Sequence, residues 1–384
     1  MTEWKEYKLG EIVQSISDTY KFVDNEKVVF LNTSDILNGK FLNDCLVSAA
    51  TLPGQAKKKI QKGDILFSEI RPANKRFAIV DFESSNYVVS TKLMVLRCNE
   101  QIYNKFLYIY LTSYEVLEYL QMIAEDRSGT FPQITFDNIA NMSISLPPLP
   151  EQIRIASILS SLDDKIDLLH RENKTLEAMA ETLFRQWFIE EAKEDDMCLL
   201  GEVIKTTSGG TPSRKNEEYY CNGNIEWVKS KELHHSYILD TEEKITIEAV
   251  HNSSAKLLPE NSILIAMYGA TVGEYGIIAK SMTCNQAICA LIPNEKYPYT
   301  YLYLWAKFMQ DEFINLACGA AQQNISQELI KQQYVSNDIK LISDFHILVN
   351  PYMEKMKVNQ EQIQTLTQQR DGLLPKLMSG EVKI

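Results

Sequence analysis

The sequence is short of paired cysteines and of long apolar runs. Its seven cysteines are scattered, and no Cys-x-x-Cys pair occurs. An odd number without paired spacing argues against a disulfide framework, and the missing pair argues against a structural zinc site. No uninterrupted apolar stretch approaches the ~20 residues that span a bilayer. The segment from Met1 to Gly10 carries charges and lacks the apolar core of a signal peptide. We therefore expect a cytoplasmic chain with no membrane association.

Catalytic signatures are missing as well. The sequence has no Gly-x-x-x-x-Gly-Lys-Ser/Thr phosphate loop, and its five histidines show no metal-ligand spacing. The Asp/Asn-Pro-Pro-aromatic signature of adenine methyltransferases is absent, because Asn350-Pro351-Tyr352 has only one proline. These absences predict a chain with no catalytic centre, no cofactor and no metal of its own.

Basic residues are outnumbered, since 39 Lys and Arg stand against 51 Asp and Glu for a net charge of −12. This balance weighs against a protein that binds DNA alone, because phosphate contacts need Lys and Arg. The acid excess is heaviest between Glu151 and Asp196. Local basic clusters occur elsewhere, at Lys57-Lys58-Lys59 with Lys62, at Arg71 with Lys75 and Arg76, and at Arg214-Lys215. Any DNA binding is therefore expected to be local, or shared with a more basic partner.

The chain contains a duplication of itself, with an offset of about 190 residues. Matching segments follow in the same order in both halves. They include Leu9-Gly10-Glu11-Ile12-Val13 with Leu200-Gly201-Glu202-Val203-Ile204, Gly63-Asp64-Ile65-Leu66-Phe67 with Asn261-Ser262-Ile263-Leu264-Ile265, and Pro132-Gln133-Ile134 with Gln323-Asn324-Ile325. Short apolar runs bounded by turn residues are typical of strands, and helical patches follow at Tyr103 to Leu120 and at Tyr299 to Ala317. Each half is therefore predicted to be an α+β domain with a small, partly antiparallel sheet.

Two long helices are predicted to follow the two domains. Prolines keep Leu146 to Pro150 extended, and from Glu151 to Phe188 the chain has no Pro or Gly. Apolar residues recur there at spacings of three and four, as in a coiled-coil seam with one stutter, and Met353 to Met378 repeats the pattern. The predicted seam residues are Leu162, Ile166, Leu169, Asn173, Leu176 and Leu183 in the first helix and Met356, Asn359, Ile363, Leu366 and Leu373 in the second.

Connectivity sets the direction of these helices. The first carries the chain from the first domain to the second, and the other starts at the second domain, so helices that pack along their seams must run antiparallel. The predicted architecture is a pseudo-two-fold dumbbell, with domains at residues 1–147 and 191–342 and helices at 148–190 and 343–384. Asn173 would then face Asn359, unless both amides touch solvent. The alternative architecture is one large α+β core in which both helices are buried.

Several motifs stand in an order typical of one protein family. Ser145 to Gln152 resembles a junction between a recognition domain and a central helix, and Leu373 to Glu381 resembles a C-terminal end. Segments that resemble parts of a recognition domain are Ser208-Gly209-Gly210-Thr211-Pro212-Ser213, Asn224-Ile225-Glu226-Trp227, Tyr268-Gly269-Ala270-Thr271-Val272-Gly273 and Asn285-Gln286-Ala287-Ile288. On these motifs the chain resembles the specificity subunits of Type I restriction-modification systems across essentially its whole length. The first domain departs from the pattern in lacking Gly-Gly-Thr-Pro, and the second junction lacks Leu-Pro-Pro-Leu.

The resemblance implies a function and a set of partners. Such a subunit is not catalytic: it binds double-stranded DNA, each target-recognition domain reads one half of a bipartite site, and the helices set the unspecified spacer. It docks two methyltransferase subunits, which methylate adenine with S-adenosylmethionine, and restriction-motor subunits that use ATP and magnesium join the complex. A duplicated coiled-coil scaffold without DNA readout is the alternative, and the missing motifs disfavour a fused enzyme.

Candidate DNA-contacting residues combine positive charge with amide and hydroxyl groups, which suit phosphates and base edges. They are Arg71, Lys75 and Arg76 in the first domain and Ser208, Thr211, Arg214, Lys215, Lys229, Tyr268, Asn285, Gln286, Gln323 and Asn324 in the second. The Gly209-Gly210 loop is either an anion-binding nest or a tight turn entering a strand. The alternative for the basic residues is a solvated surface, and for the amides it is hydrogen bonding within buried loops.

Overall fold

The computed structural model describes residues 4–127, 132–191, 196–318 and 324–382. The chain divides into two compact units, Met1–Asp164 with Thr367–Ile384, and Lys165–Leu366. Each unit combines strands and short helices with a segment from each of two long helices. In the described parts of the chain, no helix is long and apolar enough to cross a membrane. The domain boundaries at residues 147, 190 and 342 stay a prediction, since the compact units divide within the long helices.

The first unit begins with a series of short strands. These strands are β1 Lys5–Lys8, β2 Val13–Ile16, β3 Lys27–Leu31, β4 Ile36–Leu37, β5 Lys40–Phe41, β6 Leu46–Ser48, β7 Ala56–Lys59, β8 Ile65–Ser68, β9 Phe77–Ile79, β10 Tyr87–Ser90, β11 Leu93–Cys98 and β12 Ser143–Leu146. The helices are α1 Leu9–Ile12, α2 Asn104–Leu111, α3 Tyr114–Arg127, α4 Phe136–Ala140 and the long α5 Leu149–Arg185, which continues into the second unit. The strands pair in the orders β2-β11-β8-β9, β6-β3-β10-β7, β1-β12 and β4-β5.

The second unit repeats much of this series. Its strands are β13 Met197–Leu199, β14 Lys205–Ser208, β15 Ile225–Val228, β16 Tyr237–Ile238, β17 Lys244–Ile245, β18 Ile263–Ala266, β19 Tyr275–Ile278, β20 Thr283–Cys284, β21 Ile288–Ile292 and β22 Tyr334–Ser336. Its helices are α6 Leu200–Val203, α7 Ile247–His251, α8 Tyr299–Cys318, α9 Gln327–Lys331 and the long α10 Ile339–Met378, which ends in the first unit. The strands pair in the orders β14-β21-β18-β19-β16, β17-β15-β20 and β13-β22.

The two domains share one strand arrangement. The order β2-β11-β8-β9 corresponds to β14-β21-β18-β19, and the antiparallel pair β1–β12 corresponds to β13–β22. The parallel pair β3–β10 likewise corresponds to β15–β20. The predicted α+β fold with a repeated, partly antiparallel sheet is confirmed.

The central strand β18 is apolar throughout because both of its faces are covered. In β18, Ile263 and Ile265 pack into one core cluster while Leu264 and Ala266 pack into another. Alternate side chains of a strand point to opposite faces, so a strand buried on both sides carries a continuous apolar run rather than an alternating one. β8 follows the same rule in the first unit.

Two predicted helices have different bounds in the structure. The patch Tyr103 to Leu120 breaks into α2 and α3, because the Thr112 and Ser113 hydroxyls donate to the carbonyls of Tyr108 and Tyr110 and compete with the helical ladder. α10 begins at Ile339, four residues before the predicted start at residue 343.

α10 begins earlier than predicted, and it contains two prolines, Pro351 and Pro375. The Leu341 N–H donates to Asp338 Oδ1 at 2.9 Å, which satisfies one free donor of the first turn. Phe345 and Val349 are fully buried, and their packing offsets the backbone hydrogen bond that Pro351 cannot donate.

Within each unit, the segments of α5 and α10 run antiparallel. In the second unit Phe184 contacts Phe345 and Asn173 contacts Asn359, so positions that advance along one helix retreat along the other. Of the predicted seam, Leu169, Met356, Asn359 and Ile363 are buried, and Leu162, Ile166, Asn173, Leu176, Leu183, Leu366 and Leu373 are half-buried.

Candidate nucleic-acid interface

Three strands of the second unit place their connecting segments at one edge of the sheet. β14 ends at Ser208, which pairs with Cys289 near the start of β21. β18 ends at Ala266, which pairs with Ile288 at the start of the same strand. The segments that follow β14 and β18 therefore leave the sheet beside the segment that precedes β21. We call this the second-unit edge.

The neighbouring sheet brings two more candidates to this edge. β15 and β20 are parallel, with Val228 opposite Cys284, so Lys229 and Asn285 follow side by side. The Asn285 N–H donates to the Val228 carbonyl at 2.9 Å. The sequence-predicted residues gathered at the second-unit edge are Ser208, Thr211, Arg214, Lys215, Lys229, Tyr268, Asn285, Gln286 and Asn324. Gln323 lies outside the described residues.

The Gly209-Gly210 segment follows β14 and packs closely against neighbouring backbone, so it is neither an open nest nor a tight turn entering a strand. Both glycines are buried, and their N–H groups donate to the carbonyls of Ile288 and Cys284 at 3.3 and 2.9 Å. A Cβ on Gly209 would stand 2.1 Å from the Cys284 carbonyl oxygen, and one on Gly210 would stand 2.3 Å from the Ser254 backbone. Glycine is needed for close backbone packing, and these donors are already used within the protein.

Arg214 is held by aromatic rings and by a carboxylate. Its guanidinium lies 4.3 Å from the ring centre of Tyr220 and 5.1 Å from that of Trp227, in the geometry of a cation–π contact. It also donates to Glu243 Oε2 at 2.6 Å. Arg214 is therefore exposed but pre-oriented, which lowers the entropy lost when such a side chain binds a ligand.

Lys229 shares the same carboxylates. Its ammonium lies 3.0 Å from Glu242 Oε2 and 3.4 Å from Glu243 Oε1. Burial alone would lower the pKa of Lys229, but the two glutamates outweigh it and raise that pKa. Burial alone would raise the pKa of Glu243, but hydrogen bonding and charge from Arg214, with a smaller effect of Lys229, lower it. Both pKa shifts favour the charged form of the group, the ammonium of Lys229 and the carboxylate of Glu243.

Hydroxyl and amide side chains at the edge hold one another in place. The Thr211 hydroxyl donates to Gln286 Oε1. The Ser208 hydroxyl donates to Gln327 Oε1 at 2.7 Å, and the Gln327 amide donates to Thr206 Oγ1 at 2.7 Å. Gln327, the first residue of the short helix α9, was not among the candidates predicted from the sequence. Such chains of hydrogen bonds orient polar groups that could meet base edges.

The first unit has the equivalent edge. The Ile134 N–H donates to the Glu69 carbonyl at 2.8 Å, as the Ile325 N–H donates to the Met267 carbonyl at 2.9 Å. Isolated bridges join Ile70 to Gln133 and Tyr268 to Asn324. Gln133 therefore occupies the position of Asn324, and it was missed as a candidate although the internal repeat aligns the two.

A second missed residue is Lys92. The Ser90 hydroxyl accepts from the Lys92 N–H at 3.3 Å, just as Asn285 Oδ1 accepts from the Ala287 N–H at 3.2 Å. Lys92 is exposed and stands one residue before β11. The repeat could have found this position too, although its residue type differs between the halves.

The three basic candidates of the first unit have different roles in the structure. Arg71 and Lys75 are exposed and flank the single turn Pro72–Asn74, with φ angles of 44° and 54°. The Arg71 N–H donates to the Pro132 carbonyl at 3.0 Å, which places Arg71 near Gln133. Arg76 instead donates to the carbonyls of Ser34 and Ile36, both at 3.1 Å. Arg71 and Lys75 are thus the better placed cations for a ligand at this edge.

Comparison with known proteins places these features in a family. Residues 1–178 and 194–336 match the family model described as the Type I restriction modification DNA specificity domain. The chain is 34% identical to the Type I restriction enzyme HindI specificity subunit of Haemophilus influenzae over 464 aligned positions, covering 100% of both. It is 28% identical to the MjaIX specificity subunit of Methanocaldococcus jannaschii over 74% of this chain and 70% of the relative.

A solved structure shares the fold. The Type I restriction-modification S subunit from M. genitalium superposes with a TM-score of 0.67 at 16% identity, covering 98% of this chain and 96% of that one. The matched segments contain both edges described above. The chain therefore belongs to the family of Type I restriction-modification DNA specificity subunits.

Proposed function

We propose that this chain is the DNA-recognition subunit of a Type I restriction-modification complex, and that its two domains each read one half of a bipartite target. The observation that carries the proposal is that both units have an equivalent edge, built from corresponding segments of the internal repeat. In each domain the strand register brings exposed cations together with amide or hydroxyl groups. Two such surfaces on duplicated domains suit two separate stretches of duplex, as paired reading heads do in dimeric DNA-binding proteins.

The side chains at the second-unit edge suit both parts of DNA recognition. Lys215, Arg214 and Lys229 supply positive charge for phosphates, which positions a protein on the duplex. Asn285, Gln286 and Asn324 supply amides, which pair with the N6 and N7 positions of adenine in the major groove. In this proposal the domains are residues 1–147 and 191–342.

The long helices have a separate role in the proposal. They set the unspecified spacer and dock two methyltransferase subunits, and restriction-motor subunits join through that complex. Exposed apolar side chains support docking on the helices: Ile153, Leu168, Met179, Ile347 and Val358. S-adenosylmethionine would belong to the methyltransferase subunits and ATP with magnesium to the motor, in a reducing cytoplasm, while this chain contributes recognition alone.

Mapping methylated adenines in cells that express the chain with its methyltransferase tests the proposal. We expect one bipartite motif with a spacer of fixed length, because two domains on one chain impose a constant separation. Cells that express the methyltransferase alone are the control and should lack the motif. Methylation that is the same without this chain would contradict the proposal and favour a scaffold. A single continuous motif would contradict reading by two domains.

A further inference from the structure

The cations of the second-unit edge are matched by the carboxylates of one short turn. This acidic turn, Asp240-Thr241-Glu242-Glu243, connects β16 to β17. Glu243 binds Arg214 at 2.6 Å, and Glu242 binds both Lys229 at 3.0 Å and Lys231 at 2.6 Å. Two of these three cations are candidates for DNA contact. The turn thus covers the positive charge of Arg214 and Lys229, while Lys215 is exposed.

The acidic turn is held by backbone and side-chain hydrogen bonds. The Thr241 hydroxyl donates to the Glu243 carbonyl at 2.7 Å and accepts from the Trp227 N–H at 3.2 Å. Glu232 accepts from the backbone N–H groups of Lys229 and Glu242 at 2.7 and 2.8 Å. The Glu242 and Glu243 backbones are therefore fixed beside the cations, and their side chains can rotate without unfolding the turn.

The ion pairs are of a kind that a phosphate can replace. The side chains of Glu242 and Glu243 are 57% and 37% exposed, so water reaches both carboxylates. The Arg214–Glu243 and Lys231–Glu242 pairs join exposed side chains, and such pairs contribute about 0–1 kcal/mol each. The Lys229 side chain is only 16% exposed, so its pairs are better shielded from water. A phosphate oxygen accepts the same charge-assisted hydrogen bonds from Arg and Lys that a carboxylate accepts. Exchange of one anion for the other would keep each cation paired.

We infer that Glu242 and Glu243 occupy the places of DNA phosphates in the free chain and are displaced when DNA binds. This inference rests on the proposed function and concerns how the same edge discriminates. Because each phosphate must displace a carboxylate, the sequence-independent part of the affinity is reduced. Base contacts must then supply a larger share of the binding free energy, which raises specificity by penalising all other DNA.

Binding of a random-sequence duplex to the full chain tests the inference. Anisotropy titrations between 50 and 200 mM salt compare the parent with E242Q/E243Q, in which the carboxylates are neutral but the side chains keep their size. We expect the variant to bind about tenfold more tightly at the low-salt end. In the parent, each displaced carboxylate takes up a salt cation, which offsets part of the counterion release. The variant has no carboxylates at these positions, so its slope of log K against log salt should steepen by about one or two. The single variants E242Q and E243Q should each give part of the gain.

The matched control is E202Q/E295Q. Glu202 and Glu295 are exposed, and they flank the opposite edge of the same sheet, where Lys205 pairs with Ile292. This variant changes the net charge equally and should alter affinity by less than about twofold. Each variant should have the same midpoint temperature of thermal unfolding as the parent, which ensures that folded proteins are compared.

Three outcomes would overturn the inference. An equal gain in the control would show a general charge effect. Weaker binding by E242Q/E243Q would show that the glutamates orient the cations for DNA. Unchanged binding by E242Q/E243Q would show that the glutamates do not compete with DNA phosphates. If the parent and both variants bind no DNA even with the methyltransferase present, the proposed function fails as well. Binding by the parent without a gain in the variant removes the inference alone.

Discussion

Asp64 is a buried carboxylate whose charge is fully engaged within the first unit. It accepts two hydrogen bonds from Arg97, at 2.7 and 2.9 Å, and one from the Gln61 N–H at 2.9 Å. The hydrogen bond to Asp64 is the largest influence on the pKa of Arg97 and raises it. Asp64 directly precedes β8, so this pair fixes β8 against β11 at the edge opposite the candidate interface.

Asp64→Asn should lower the free energy of unfolding by about 2–4 kcal/mol, because a buried bidentate pair loses its charge while Arg97 is only partly able to hydrate. Urea denaturation of the full chain measures the loss. Glu83→Gln is the control, since its pair with Lys62 spans 3.9 Å between side chains that are 90% and 61% exposed and should cost less than about 0.5 kcal/mol. Equal losses in the two variants would contradict the account.

For single residues, the sequence predicted the types of residue at the interface better than the role of each one. Arg71 and Arg76 are indistinguishable in the sequence, yet Arg76 donates to loop carbonyls while Arg71 is exposed. Glu243 was not predicted to face Arg214, because the contact joins the segment after β14 to the turn before β17, which are separate in the sequence. Partners of this kind depend on long-range register, which local patterns do not encode.

The helix pair of the second unit contains a buried polar contact in an otherwise apolar seam. The Asn359 amide donates to Asn173 Oδ1 at 2.8 Å and to Glu172 Oε2 at 3.0 Å. Asn359 is fully buried, and its side-chain oxygen has no partner within the described residues. An unsatisfied buried acceptor costs free energy, while a buried amide pair favours one register of two helices over others.

Replacing both residues, N173L/N359L, should raise the free energy of unfolding by about 1–2 kcal/mol and should loosen the register. Urea denaturation measures the first effect. Hydrogen exchange of the helix amides measures the second, with faster exchange expected around both positions. N173L alone is the control and should destabilise, because the buried Asn359 amide loses one of its two acceptors and keeps only Glu172. A double variant that is less stable, or that keeps slow exchange, would argue against the register role.

Element boundaries were predictable where local signals dominate. The spacing of apolar residues predicted two long helices, and α5 begins within two residues of the expected start at Glu151. α10 begins four residues before the predicted start at residue 343, where the Asp338 side chain accepts a hydrogen bond from the Leu341 N–H. The break between α2 and α3 depends on hydroxyl groups that bond backward to the helix, which composition alone does not reveal.

For the whole molecule, the duplication was the most informative sequence signal. It predicted two α+β domains, and both share a four-strand order in the main sheet and a closing pair of terminal strands. It did not reveal which surface faces a ligand, because the edges are assembled from segments that are distant in sequence. The repeat aligns Gln133 with Asn324, and the equivalent isolated bridges place both residues at the same edge of their domains.

Each domain is closed by its own ends. Lys5 pairs with Leu146 in the first domain, and Met197 pairs with Ser336 in the second. A domain whose first and last strands are neighbours can be exchanged with little disturbance of the chain on either side. The central claim, that two independent domains read two half-sites, is therefore open to a direct test.

That test is the replacement of residues 1–147 by the corresponding domain of a relative, followed by mapping of methylated adenines in cells with the methyltransferase. We predict that one half of the bipartite motif changes while the other half and the spacer stay the same. Exchange of residues 191–342 is the reciprocal control and should change only the other half. Alteration of both halves, or of neither, in a complex that still assembles and methylates would contradict the account.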